Sequence, residues 1–550
     1  MTKDTFFTNF GYLADAPNGV KKLRELILQL AVQGKLVPQD PSDEPASILL
    51  KKIKAEKERL VKEKKIKKAD SLPPVSPDEE PYKLSKGWVW VRVVDILEKL
   101  TNGYSGQQFK EPPGLPLTRI ETISNGTVDF SRVGYVKDYD DELIEKFRIE
   151  SKDILLSHIN SEKHLGKTAV YQSDKLILHG TNLLLLRVFK FFINADYFHI
   201  VMQYSRNIGY FISMAQHAIH QASINQSKLS YTPFALPPLA EQHRIVAKVD
   251  LLMALCDELD KWQQKKKQKL IRLNNAALDR LLTARTTDDF ADAWRIIRDN
   301  FDFLYTAPET ITKFRQAILQ LAVQGKLVPQ DTNDEPASAL LVKIKTEKDR
   351  LIKEKKIKKA APLPPVSPAE APYELPKGWE WVRLGEIIKI SSGDGLTSEN
   401  MDSNGQIPVY GGNGIAGYHS KFNVEKPTIV IGRVGYYCGS VHMTEEKAWI
   451  TDNAFITFFS EENIFPYFMF WLLKGTNLKE RENATAQPVI SGKKVYPLVV
   501  GLPPLAEQHR IVTKVDQLMK LCDELESKLI KSQTKSEKLV EASVKAIAAN

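Results

Sequence analysis

Gly412, Gly414 and Gly417 spell G-x-G-x-x-G behind the apolar run IPVY, the spacing with which a backbone turn cradles a pyrophosphate. That chemistry needs a helix opening at the motif, so that its N-terminus faces the phosphates. The residues that follow, YHSKFNVEKP, are polar, contain Asn and Pro and carry no helical stripe. A glycine-rich loop is therefore expected, not a dinucleotide site. His164-Leu165-Gly166-Lys167-Thr168 ends like a P-loop, but Ser161 stands where the first glycine is required. His217 and His220 lie three apart on a segment read as helix, with no third ligand nearby, so no metal is expected. Cys256, Cys438 and Cys522 form no C-x-x-C pair, which leaves neither a zinc ribbon nor a disulfide framework. Methylation of a flipped adenine requires a glycine-rich cofactor loop and an Asn/Asp-Pro-Pro-aromatic motif. Pro-Pro pairs occur here only as LPPL, LPPV and EPPG. A Walker A motif and a carboxylate cluster suited to a nuclease are also missing. The sequence predicts no catalytic residue and no cofactor held by this chain.

The elements that would position functional residues are written twice. ILQLAVQGKLVPQD at 27–40 recurs unchanged at 318–331, KGWVWVR at 86–92 returns as KGWEWVR at 377–383, and LPPLAEQHRIV at 236–246 returns at 502–512. Between the last two motifs lie inserts, roughly 93–235 and 384–501, with almost no likeness to each other. Two like frames carrying two unlike inserts suit a device that reads two different half-sites at a fixed separation. Duplication followed by drift is the blander account, and it leaves unexplained why drift spares the frame.

Each frame opens with an amphipathic helix, 19–34, striped by Leu23, Leu26, Ile27, Leu30 and Ala31 and ended by Gly34. A second helix is predicted over 45–69, apolar first and basic last, before a proline-rich linker at 72–82. The same parts recur at 310–325, 336–360 and 363–373. After each LPPL motif a long helix follows. Ile245, Val249, Leu252, Cys256 and Leu259 keep heptad-like spacing, resumed at Leu270, Leu273 and Ala277. Ile511, Val515, Leu518, Cys522, Leu525, Leu529, Leu539 and Val544 follow suit. Such a helix spans roughly 65 Å. The inserts alternate strand-like runs (153–159, 182–189, 428–434, 453–459) with helical ones (195–216, 465–474).

The fold class expected is α+β: two mixed α/β recognition domains, separated by long helices forming an antiparallel coiled coil, with internal duplication. The expected boundaries are 1–85 helical region and linker, 86–236 first recognition domain, 237–300 central long helix, 301–376 second helical region and linker, 377–502 second recognition domain, and 503–550 C-terminal long helix. With 550 residues and a net charge of +9, the chain suits a nucleic-acid partner, although lysine-rich helices would be solvated in any case. The N-terminal residues lack a secretory leader pattern, and no apolar run of about 18 residues occurs. Few, unpaired cysteines suit a reducing cytoplasm.

LPPLAEQHRIV leading into a heptad helix, KGWxWVR opening each insert and LQLAVQGKLVPQD together resemble the specificity subunit of type I restriction–modification systems, over nearly the whole chain. The resemblance implies two target recognition domains, each reading half of a bipartite, asymmetric site in double-stranded DNA. It also implies that the long helices set the spacing. Two methyltransferase subunits would bring S-adenosylmethionine, and two restriction/translocation subunits would use ATP and Mg. A coiled-coil assembly protein without a sequence-specific DNA role is the alternative.

Base readout needs donors and acceptors on loops. Counting back from LPPL, the stretch from Gln221 to Lys228 lies level with that from Gln487 to Lys494, and this Q-x-x-I-polar loop resembles one recurring in such domains. The candidates there are Asn225, Gln226 and Lys228, with Ser491, Lys493 and Lys494. Residues 153–168 lie level with 428–441, adding Ser157, Asn160, Lys163 and Lys167 on one side and Arg433, Tyr436 and Tyr437 on the other. Arg119 and Asn413 complete the set.

Overall fold

Each frame starts from a helix that is apolar at helical spacing. In the computed structural model, Gly19–Val32 buries Val20, Leu23, Leu26, Ile27 and Ala31, and Pro308–Val323 buries Ile311, Phe314, Ile318, Leu321 and Ala322. Both end at a glycine in the left-handed region, Gly34 (φ 69°) and Gly325 (φ 68°). A Cβ on Gly34 would lie 2.9 Å from the Trp88 ring, and one on Gly325 3.0 Å from that of Trp379. The AVQGK and KGW motifs therefore recur together because they touch.

The structure describes residues 14–66, 72–124, 126–218, 221–358, 361–402, 404–476, 478 and 489–549. The chain divides into two units, Met1–Lys265 with Gln533–Asn550, and Lys266–Ser532. In the first, Val89–Arg92 pairs antiparallel with Pro233–Leu236; in the second, Glu380–Arg383 pairs with Val499–Leu502. Both ends of each insert thus leave from one two-stranded ribbon.

A buried polar knot fixes that ribbon to the frame. Glu241, 1% exposed, accepts hydrogen bonds from Trp88 Nε1 (2.9 Å) and Gln39 Nε2 (2.9 Å). Glu507, also 1% exposed, accepts from Trp379 Nε1 (2.9 Å) and Gln330 Nε2 (3.2 Å). Burial pushes both carboxyls above their usual range, opposed by these bonds. Beside them Arg244 pairs with Asp43, and Arg510 with Asp334. Gln242 donates to Pro237 O and accepts from Asn194 N; Gln508 does the same with Pro503 O and Phe465 N. Every polar residue of the AEQHR motif except histidine has one role, repeated in both copies.

Each insert builds a four-stranded antiparallel sheet. The first has the order Leu97–Asn102, Leu183–Val188, Ile154–Ser157, Thr168–Val170; the second has Ile388–Ser392, Ala454–Phe459, Ile429–Gly432, Val441–Met443. A helix follows the second strand of that order, Ala195–Asn207 or Pro466–Gly475. The remainder differs. The first insert adds a three-stranded sheet of Gln216–Ala218, Gln221–Ser223 and Ile159–Asn160. The second adds one of Gly414–His419, Ile407–Gly411 and Trp449–Ile450, the last pair parallel.

The long helices are Leu239–Thr283 and Leu505–Ala549. In the first unit, Ile245, Val249 and Cys256, with Leu252 and Leu259 packed against them, share a core with Val540 and Ile547. In the second, Leu278 and Leu281 share one with Ile511, Val515 and Cys522, against which Leu518, Leu525 and Leu529 pack. The start of each helix thus meets the end of the other, the antiparallel pairing. The seam also takes in the frame's first helix: Arg24 pairs with Asp257 and Asp260, and Arg315 with Asp523 and Glu526.

Several sequence expectations need correction. The basic helix runs over Ala46–Lys62, not 45–69, and its copy over Ala337–Lys353, not 336–360. Within 237–300 the long helix stops at Thr283, and a separate helix, Thr287–Asp299, starts at the Thr286 cap. Leu273 and Leu539 are exposed. The stripe resumes one residue later, at Asn274, Leu278 and Leu281 in one helix and at Val540 and Ile547 in the other. Asn274 is fully buried with no partner for either amide atom among the described residues, a residue type that fixes helix register at a cost in stability. His217 sits on the strand Gln216–Ala218 beside Glu162, not on a helix, and His220 lies outside the described residues.

Candidate nucleic-acid interface

In each insert one hairpin of the four-stranded sheet turns beside the segment that precedes the closing ribbon strand. Ile224 N donates to His158 O (2.8 Å), and Ile490 N donates to Arg433 O (2.9 Å). Both isoleucines are fully buried. The Q-x-x-I spacing thus joins the two predicted segments in each unit, although Gln487 lies outside the described residues. The expected loop at 221–228 is a strand, Gln221–Ser223, followed by a helix, Gln226–Tyr231; its counterpart contains the helix Gly492–Val495.

In the first unit the hairpin turn, 158–167, is closed by Gly166 N donating to Ser157 O (2.8 Å). Arg206, on the last turn of Ala195–Asn207, donates to Lys163 O (3.0 Å) and Leu165 O (3.3 Å). That places Arg206 among Lys163, His164 and Lys167. Burial, then the charges of Arg206 and Lys163, hold the Lys167 ammonium below its usual range; burial and the same group of cations lower His164. Neither Lys163 nor Lys167 meets a carboxylate among the described residues. Like charges gathered without a counter-ion form a site for an anion. Arg206 was missed in the sequence, because its contacts to the turn are tertiary and no local pattern announces them.

Other first-unit candidates are placed differently. Ser157 is fully buried and receives a long bond from Asn160 Nδ2 (3.4 Å), so it is no surface donor. Asn160 is half-buried. Asn225 caps its helix, accepting from Lys228 N (2.8 Å), and Lys228 Nζ donates to Met214 O (2.7 Å). These two hold the fold as they stand, while Gln226 remains half-buried between them. Arg119 pairs with Glu121 (3.0 Å), and no described contact joins it to the hairpin.

In the second unit the hairpin turn, 433–440, carries Tyr436 and Tyr437, 71% and 52% exposed, with rings edge-on at 5.0 Å. Such faces can stack or donate at a groove. Arg433 is half-buried, donating to Ser392 Oγ (3.0 Å) and Asp452 O (3.1 Å) over the Phe455 ring. The G-x-G-x-x-G segment is a tight hairpin whose exposed turn residue is Asn413, and a strand follows it, not a helix. A Cβ on Gly432 would stand 2.2 Å from Gly412 O, so the two turns meet backbone to backbone. Asn413 also lines a cleft of about 430 Å³ with Tyr410, Ile415, His442, Phe470 and Lys474. Ser491 and Lys493 are exposed and Lys494 half-buried on the adjoining helix.

Among the described residues no group of three or more His, Cys, Asp or Glu is placed to hold a metal, and no helix is long and apolar enough to cross a membrane.

Comparison with known proteins supplies the context for this geometry. The family model for the type I restriction modification DNA specificity domain matches twice, at residues 85–269 and 376–533. The EcoAI type I restriction enzyme specificity subunit of Escherichia coli is 33% identical over 544 residues, 92% of this chain and 90% of that protein. The EcoEI specificity subunit of Escherichia coli is 33% identical over 548 residues, 94% of this chain and 91% of that one. A chain solved in work on complex assembly and conformational transition of the type I R-M system is 17% identical, covers 85% of this chain and 99% of itself, and aligns with a TM-score of 0.50, which shows the fold. With two matched domains framed by one repeated polar knot, the chain belongs to the family of type I restriction–modification DNA specificity subunits.

Proposed function

We propose that each recognition domain reads one half of a bipartite, asymmetric site in double-stranded DNA, and that this chain performs no catalysis itself. The observation that carries the reading is the equivalence of the two hairpin sites. The same backbone bond from Ile224 or Ile490 holds a turn in place, yet one turn bears Lys163, Lys167 and Arg206 and the other bears Arg433, Tyr436 and Tyr437. One scaffold with two chemistries serves recognition of two unlike sequences. Asn160, Gln226, Asn413, Ser491, Lys493 and Lys494 flank these turns as further contacts. The long helices, each of which belongs in part to both units, set the number of unspecified base pairs.

Two methyltransferase subunits dock on those helices. Exposed Leu251, Leu255 and Trp262 fall on one face of the first, and Leu521 is exposed at the place in the second helix that matches Leu255. Apolar stripes left in solvent mark partner surfaces. S-adenosylmethionine resides on those partners, ATP and Mg on two restriction/translocation subunits, and the complex works in the cytoplasm.

Methylome sequencing of a host expressing this chain with its methyltransferase subunit tests the reading. A split, asymmetric methylated motif that depends on this chain is expected, and replacing residues 384–501 with another insert should change one half alone. A short, unbroken motif, or methylation indifferent to the chain, would leave the assembly-protein alternative.

A further inference from the structure

The basic end of the frame's second helix adds no fully buried residue to the core, only the partly buried Leu60 in the first copy. Its fully buried residues, Ala46, Leu49 and Ile53 or Ala337, Leu340 and Ile344, all lie in the first half. Upstream the copies differ at Ile48/Ala339, Lys51/Val342, Ala55/Thr346, Glu58/Asp349 and Val61/Ile352, yet KEKKIKKA at 62–69 returns unchanged at 353–360. Both helices stop identically. Lys65 N donates to Leu60 O (2.9 Å) and Lys64 N to Val61 O (3.0 Å); Lys356 N donates to Leu351 O (3.0 Å) and Lys355 N to Ile352 O (3.0 Å). This puts Lys64 (φ 55°) and Lys355 (φ 57°) in the left-handed conformation that glycine adopts without strain. A lysine stands there in both copies, where local geometry favours another residue.

These stops are exposed at Lys62, Lys64 and Lys65 and at Lys353, Lys355, Lys356 and Lys358. Lys65 and Lys356 pair with Glu63 and Glu354; Lys64 and Lys355 meet no carboxylate among the described residues. The chain then runs to Pro73 and Pro74, whose carbonyls accept from the Arg92 guanidinium. Arg92 also donates to Tyr231 O, at the end of the helix bearing Gln226 and Lys228. In the copy, Arg383 ties Pro364 O and Pro365 O to Pro497 O, just after the helix bearing Lys493 and Lys494. The prolines that follow each lysine stop in the chain are thus tied to the end of the candidate DNA-facing helix of the same domain.

We infer that the two lysine stops are sequence-independent contacts to the DNA phosphate backbone, one beside each half-site; this rests on the specificity reading above. Point charges on flexible stems suit phosphates, which carry no sequence and ask for no fixed geometry. A protein partner would need apolar or aromatic residues at the centre of its patch, and the exposed residues here are lysines and one glutamate in each copy.

The test is fluorescence anisotropy of the full chain, assembled with its methyltransferase subunits, on a duplex bearing the methylated motif and on a scrambled duplex, across a salt series. In Lys64→Gly with Lys355→Gly, the backbone strain goes and two charges go. The Tm should hold or rise, while affinity for both duplexes falls by one common factor, up to about 60-fold at 0.1 M salt, and the log–log salt slope shrinks by about 2. Lys64→Arg with Lys355→Arg should keep the slope. An unchanged slope and affinity in the glycine variant overturns the inference, as does a loss confined to the target duplex. Loss of methyltransferase subunits with DNA affinity intact overturns it in favour of a protein partner. A wild-type complex that does not distinguish the two duplexes overturns the specificity reading and this inference with it. A wild type that discriminates, beside an unaffected variant, overturns the inference alone.

Discussion

The two inserts share a four-stranded sheet in one strand order and stabilise it by different chemistry. In the first, Arg187 is held bidentate by Asp153 (2.9 and 2.7 Å), which is fully buried, with Glu150 at 2.6 Å. In the second, Thr428 precedes the matching strand and bonds the Thr444 hydroxyl, while Phe458, half in solvent, lies across from Lys389 where Arg187 lies across from Lys99. The frame shows the reverse. There Trp88 and Trp379, Glu241 and Glu507, Arg92 and Arg383 make the same bonds at nearly the same distances. What holds an insert in place was kept; what lies inside it was free to change.

The largest effect should separate the inserts. Asp153→Ala strips the buried bidentate partner from Arg187 and leaves it only Glu150, a loss of about 3 kcal/mol. Hydrogen exchange should then quicken along Ile154–Val188 and stay unchanged along Ile429–Phe459; a change in both would mean that the inserts are not independent. Next comes the frame. Trp88→Phe and Trp379→Phe each strip a donor from a buried glutamate, about 1.5–3 kcal/mol apiece. Equal costs in denaturant titration are expected, and a gap above about 1 kcal/mol would break the equivalence of the copies. Arg433→Gln should weaken binding by about 1–3 kcal/mol and relax one half of the methylated motif only. Lys163→Gln should do the same to the other half of the motif and leave the half read by Arg433 unchanged, with a loss of about 1 kcal/mol.

The smallest effect is one of pH. Hydrogen bonds from Arg92 and the Ser76 backbone and hydroxyl hold Glu79 down to about 2; the Ser367 backbone, Arg383 and the Ser367 hydroxyl do the same for Glu370, against a usual value of 4.5. A depressed carboxyl stabilises the folded state above its unfolded value and loses that contribution as pH falls from about 4.5 towards 2. Glu79→Gln and Glu370→Gln should flatten that acid limb by equal amounts in pH-dependent melting. Unequal flattening would locate the first difference between the frames.

The duplicated frame and the two central strands of each insert's sheet were legible because the one rests on repetition and the others are continuous apolar runs. The end of the first helix was legible in Gly34, but the ends of the basic helices were not. Lys64 and Lys355 terminate their helices with a residue that by type continues one, and only the left-handed backbone gives the stop away. The shift from Leu273 to Asn274 escaped because a buried asparagine contradicts the apolar pattern used to find seams. At the site, position along the chain pointed to two turns that the structure places equivalently, while residue type did not reveal how each side chain packs. Ser157 faces the core, Asn225 and Lys228 serve the local backbone, and Arg206 arrives from a distant helix. Whether a polar side chain faces solvent or a neighbouring carbonyl is decided by tertiary packing, which a single sequence does not spell out.

The closing ribbon has a consequence for inheritance. Because Val89 lies opposite Leu236 and Glu380 opposite Leu502, each insert begins and ends on neighbouring strands, a separation of about 4.8 Å. The flanking KGW and LPPL segments are near-copies within one chain. A single exchange of genetic material at each flank therefore delivers a foreign insert whose two ends already fit the gap, and a lineage can acquire a new reading domain in one recombination event without redesigning its frame.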